Sequence, residues 1–208
     1  QNYPIQFYHF RDKSIFMKPV DCHCHLDYGK FDDDREEVIS RCYSNLHRVV
    51  NAGLGPESNR STLELAREND VVEPALGLHP TQVESFDDIE EVVNQIREHQ
   101  PGIIGEIGLD YHHVTDEETR ERQEEVFRIL LELAEELGKP VALHTRSAEK
   151  KCVEIIDEYE VKAHLHSFNG NTDLTGKAAE RGNMIGISTQ VLYSTRVQNI
   201  VREVSLDR

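Results

Sequence analysis

The 208-residue chain has no run of 18 apolar residues, so nothing in it reads as a membrane-spanning helix. Positive charge is scarce: 23 lysines and arginines stand against 39 acidic residues, a net charge of −16. That balance excludes a general nucleic-acid coat or an anionic-membrane binder, both of which need basic patches. A phosphate-bearing substrate would need local positive charge, from metal ions or a few placed arginines. Arginine outnumbers lysine 15 to 8. The four cysteines, Cys22, Cys24, Cys42 and Cys152, form no CxxC pair, which predicts a reduced, cytoplasmic protein. The opening QNYPIQFYHFRDKSIF lacks the basic-then-apolar layout of a secretory leader. Met17 reads as the natural start. Residues 1–16 are then an N-terminal extension or expression remnant, and 17–208 one domain, long enough to bury roughly 70 % of its unfolded surface.

What is present is a repeat of apolar strand and charged, amphipathic helix. Strand-like runs fall at 19–24, 48–53, 72–78, 102–107, 140–145, 162–166 and 184–188. The clearest helix spans 116–137: Thr115 and Glu118 read as a capping box, and Gly138 then Pro140 stop it. Within it Val126, Ile129, Leu130, Leu133 and Leu137 mark one buried stripe. Ser85 precedes a helix over 86–99, and Ser194 precedes one over 195–204. Seven such units leave an open doubly wound sheet or a (β/α)8 barrel. A dinucleotide-binding sheet should show GxGxxG after its first strand, and there is none. Polar residues instead end strand after strand: His23 and His25, His79, Glu106, His144, His166. In a barrel those ends converge on one mouth. The barrel is the predicted fold.

The stretch VDCHCHLD (20–27) shows how such a mouth is furnished. Strand alternation puts His23 and His25 on one face and Cys22 and Cys24 on the other. The cysteines are expected to pack toward the helices as small hydrophobes. The histidines could share one metal, although an isolated HxH is as readily two satisfied polar residues. Glu106, at the end of an apolar strand, needs a metal or a paired cation to be tolerated there. Asp110 reads as a supporting carboxylate or a loop cap. His164 and His166 share a face, so geometry alone does not choose between them. His9, His47, His99, His112 and His113 read as surface or helix residues. Together, histidines and one glutamate at successive strand ends suit one or two divalent ions such as Zn²⁺, Mn²⁺ or Mg²⁺. A carboxylate bridging two ions ~3.5–4 Å apart fits two-metal hydrolysis.

The motifs DCHCHLD, GLHP (77–80), GEIGLDY (105–111), LAEELGKPVALHTR (133–146) and HSFNG (166–170), in this order, resemble the TatD family of metal-dependent deoxyribonucleases, within the amidohydrolase-like barrels. The resemblance implies a (β/α)8 barrel with two divalent ions (Zn, Mg or Mn). It also implies hydrolysis of DNA phosphodiesters, at single strands or ends, by a metal-activated hydroxide. By motif position, His23 and His25 would bind one ion and Glu106 would bridge both as the catalytic carboxylate. His144 and His166 would bind the second, HSFNG selecting His166 over His164. Arg146 and His79 would face the substrate phosphate. Ser167, Asn169 and Ser147 depart from the usual family residues. Past VSLDR the family continues into an eighth strand whose aspartate binds metal. The expectation is therefore that residues follow Arg208, or that IQFYHF (5–10) covers the open edge. The alternatives are a deacylase or amidohydrolase on the same site, or a non-catalytic metal-binding fragment. No membrane partner is expected, and a monomer is the favoured state.

Overall fold

The computed structural model describes residues 18–204; the IQFYHF segment lies outside the described residues. Each apolar run forms a short strand and each amphipathic stretch a helix. In order these are β1 (Val20–Cys24), α1 (Arg35–Asn45), β2 (Arg48–Ala52), α2 (Pro56–Glu68), β3 (Val72–Leu76), α3 (Phe86–His99) and β4 (Ile103–Gly108). Then follow α4 (Glu117–Leu137), β5 (Val141–His144), α5 (Glu149–Ile156), β6 (Ala163–Leu165), α6 (Thr172–Glu180), β7 (Met184–Ile185) and α7 (Thr195–Glu203).

All neighbouring strands pair in parallel, and their spatial order is their order in the chain, β1 to β7. A doubly wound sheet reverses its order at a switch point, whereas a barrel adds each strand to the same side of the last. The sheet is therefore a curled (β/α)8-type sheet, with seven strands and no eighth among the described residues. Its helix-facing side buries Ile104, Leu143 and Leu165 in one core with Phe127, Leu130 and Leu131 of α4.

Local chemistry sets the helix limits. Ser85 accepts from the Asp88 N–H at 3.2 Å and Ser194 from the Val197 N–H at 3.4 Å, opening α3 and α7 where the sequence predicts. At α4 the expectation of Thr115 as cap is corrected: Asp116 accepts from the Thr119 N–H at 2.8 Å. A carboxylate there satisfies the same orphan donor and adds favourable charge at the helix N-terminus. Ile129 is also corrected. It is 37 % exposed, and the buried face runs through Gln123, Val126, Phe127, Leu130, Leu131 and Ala134. Cys24 packs beside Leu26, Ile39 and Cys42 as expected, but Cys22 is exposed. α1 buries only Ile39 and Cys42, so its cover does not extend to the start of β1.

Candidate metal centre

The pleat of β1 turns His23 and His25 to the inner face of the sheet. His25 Nδ1 donates to the Ala52 carbonyl at 2.8 Å, which leaves its Nε2 lone pair facing inward. His23 Nε2 lies 3.2 Å from that nitrogen, and the two lie 3.3 and 3.6 Å from Glu106 Oε2. His23 Nδ1 is buried with no partner among the described residues. Two imidazole nitrogens and a carboxylate oxygen converging in a desolvated corner are a ligand set that fits a divalent ion.

This corner is held by a polar network behind it. Asn51, buried in β2, accepts from the Leu26 N–H and donates to Asp27 Oδ1 at 3.0 Å and Thr62 Oγ at 2.7 Å. Ser58 donates to the other Asp27 oxygen at 2.6 Å. The network ties the end of β1 to β2 and α2.

The second oxygen of Glu106 faces another way. Oε1 lies 2.9 Å from His144 Nδ1, and His79 Nε2 lies 3.2 Å from the same nitrogen. His79, Glu106 and His144 form a second set able to hold a cation. His144 Nε2 in turn lies 2.9 Å from Asp110 Oδ2. Burial pushes the Glu106 carboxyl up, but hydrogen bonds from His144 and His23 outweigh it and hold the group well below the usual carboxylate range. Burial lowers His144 too, yet the bonds to Glu106 and Asp110 leave it raised. At His79 and His166 the charge of Glu106 offsets burial only in part, and each is pushed down to about 4.

The sequence places His79 toward substrate. The structure sets it beside His144, capping the turn Pro80–Gln82 with its Nδ1 accepting from the Thr81 N–H. His166 lines the same cleft but stacks its ring on His23, centroids 3.7 Å apart, with Nε2 3.1 Å from Ser167 Oγ. His164 is not among the lining residues, and Arg146 is exposed at the mouth. The cleft measures about 620 Å³.

Three contributors escape a reading by motif. Tyr28 stacks on His25 at 4.9 Å, His112 lines the cleft, and His113 donates to Asp110 at 2.8 Å. His112 and His113 are exposed, as expected of surface residues, and they add these contacts beside the site. The available signal is the three-residue step from Asp110 to His113, a spacing a turn closes.

A curled parallel sheet whose strand ends gather histidines and a buried glutamate is the architecture of barrel metal-dependent hydrolases. The chain belongs to the TatD family: residues 20–208 match the family described as TatD related DNase. It is 34% identical over 194 residues to a metal-dependent hydrolase of Methanocaldococcus jannaschii, covering 92% of this chain and 76% of that one. It is 28% identical over 202 residues to the human deoxyribonuclease TATDN3, covering 90% and 74%. The fold matches a TatD homologue of Escherichia coli with a TM-score of 0.83 at 24% identity, over 91% of this chain and 76% of that one.

Proposed function

We propose that this TatD-family hydrolase cleaves DNA phosphodiester bonds, at ends or in single strands, with two divalent ions held by His23, His25, Glu106, His144 and His166. The observation that carries the reading is the split use of Glu106: Oε2 serves His23 and His25 while Oε1 serves His144. That is how a bridging carboxylate is disposed. Ions bound there would lower the pKa of a coordinated water and polarise a phosphoryl oxygen.

The chain's own groups supply the rest. Arg146 forms no ion pair among the described residues, so its guanidinium is available to two oxygens of one phosphate. His79 stands beside His144, with Nε2 3.2 Å from His144 Nδ1, so a substrate phosphate held next to the ions would lie within its reach. The deoxyribonuclease name of the human relative supports a DNA substrate.

The test is elemental analysis followed by assays on single-stranded oligonucleotides, with ester and amide panels in parallel. Cleavage of DNA that a chelator abolishes and Zn²⁺, Mn²⁺ or Mg²⁺ restores is expected. Metal-dependent turnover of esters or amides with none of DNA would transfer the site to the deacylase reading.

A further inference from the structure

We propose that Asp110 is a positioning residue that decides which nitrogen of His144 faces the metal centre. The proposal rests on the reading of His144 as a ligand. Asp110 is fully buried, and each of its carboxylate oxygens has two partners. Oδ1 accepts from the backbone N–H groups of His112 at 3.0 Å and His113 at 2.8 Å. Oδ2 accepts from His113 Nδ1 at 2.8 Å and faces His144 Nε2 at 2.9 Å. The backbone N–H of Asp110 is itself held by Gln123 of α4 at 3.0 Å, so the carboxylate cannot drift.

An ionised carboxylate only accepts. His144 must therefore donate from Nε2, and a neutral imidazole that donates from Nε2 carries its lone pair on Nδ1. The neighbour on the other side agrees. His79 Nδ1 faces both the Thr81 N–H at 3.3 Å and the Thr81 hydroxyl at 2.8 Å, and where it accepts from both, its Nε2 donates toward His144 Nδ1, 3.2 Å away. A neutral His144 then meets Glu106 Oε1 acceptor to acceptor at 2.9 Å, a pairing that a proton on Nδ1 satisfies in the metal-free protein and a shared cation would satisfy in its place. Asp110 thus presents Nδ1, not Nε2, as the ligand from β5.

This makes an unusual prediction about substitutions. In Asp110→Asn the single oxygen is claimed by the two backbone N–H groups, which turns the amide NH₂ toward His144 Nε2. His144 must then accept at Nε2 and carry its proton on Nδ1, where it can no longer ligate. Asp110→Ala merely frees Nε2, and either nitrogen can hold the proton. A purely structural carboxylate would give the opposite order, because asparagine keeps the shape and the loop bonds.

Zinc affinity of the full chain, measured by competition with a chromophoric chelator, separates the two. The first zinc should bind all three proteins with close to equal strength. The second should weaken by about 10-fold in Asp110→Ala and by about 100-fold or more in Asp110→Asn. Should either variant fail to fold, ¹⁵N-histidine spectra of the zinc-loaded wild type decide: one ring must be protonated at Nε2 and metal-bound at Nδ1. Tighter second-zinc binding by the Asn variant than by the Ala variant, or Nε2 ligation by His144, overturns the proposal. A wild-type chain that takes up no second zinc instead removes the two-ion reading beneath it.

Discussion

A carboxylate as buried as Glu106, 2 % exposed, stays ionised only because hydrogen-bond donors or cations surround it. Glu106→Ala removes the one side chain shared by both histidine sets. Metal content should fall at both positions, and turnover by more than the about 100-fold reached by residues that only support ligands. Unchanged stoichiometry in that variant would show that Glu106 bridges nothing. The surrounding histidines predict a pH response as well. Burial lowers His25, His79, His164 and His166 below the ordinary value, while His144 is raised. The unfolded chain therefore binds protons near pH 6.5 that four folded rings refuse, and stability drops as pH falls from about 6.5 toward 4. His144 acts oppositely: its contribution is present below 6.5 and lost as pH rises through its folded value. With four groups against one, chelator-treated protein should have a lower urea midpoint at pH 5 than at pH 7.5. A midpoint that rises on acidification would contradict the burial of these rings. At this scale HxH and Glu106 were legible because alternation and an apolar run fix which way a side chain faces. Asp110 was legible as a supporting carboxylate or loop cap, but its partners were not, since they depend on a loop that brings residues 110, 113 and 144 together.

The strand that carries HxH sits at one edge of the described sheet, and its outer residues are exposed. Its register is therefore kept by pairing with β2 on one side and by the Asn51 network at its end. Asn51→Ala would leave the Leu26 N–H without its acceptor, and Asp27 Oδ1 and Thr62 Oγ without the amide donor they share. The loss should be about 2–4 kcal/mol, in the range for several buried groups left unsatisfied. First-zinc affinity should weaken with it, because His25 directly precedes the released Leu26. Ile96→Val, in the distant core, should cost about 1 kcal/mol and leave zinc affinity alone. If both variants affect zinc equally, the network has no special hold on the site. Gly108 makes a related point about β4: it has φ +136°, and a Cβ there would run into the His144 carbonyl. Gly108→Ala should lose about 1–3 kcal/mol and disturb the second set of ligands, which lower second-zinc affinity would register. Strand and helix positions were readable from apolar periodicity and caps. What periodicity could not choose was the exact face of α4. The rows through Ile129 and through Phe127 are both helical, and only packing on the sheet selects one.

Charge is a property of the whole molecule, and here it opposes the proposed substrate. The net charge is −16, and one face gathers Asp32, Asp33, Asp34, Glu36, Glu37, Glu64 and Glu68. Attraction for DNA must then come from the cleft itself, through its ions and Arg146. Two salt effects oppose each other. Releasing counterions from the few phosphates held in the cleft weakens binding as salt rises, with a slope of about −0.7 per phosphate on a single strand. Screening the protein's own negative field strengthens it, since the Debye length shortens to about 8 Å near 0.15 M. A single-stranded oligonucleotide should therefore bind with a log–log salt slope shallower than about −2, and duplex DNA without ends should bind more weakly still. Arg146→Ala should reduce affinity for the single strand while leaving zinc content unchanged. Fluorescence anisotropy between 50 and 200 mM salt measures all three, on a chain loaded with an ion that does not support turnover. A steep slope near −6 with length-independent duplex binding would mean that some extended basic surface engages DNA. Arg146 is the one lysine or arginine among the described residues lining the cleft, so such a result would sink the account of binding through a few local contacts.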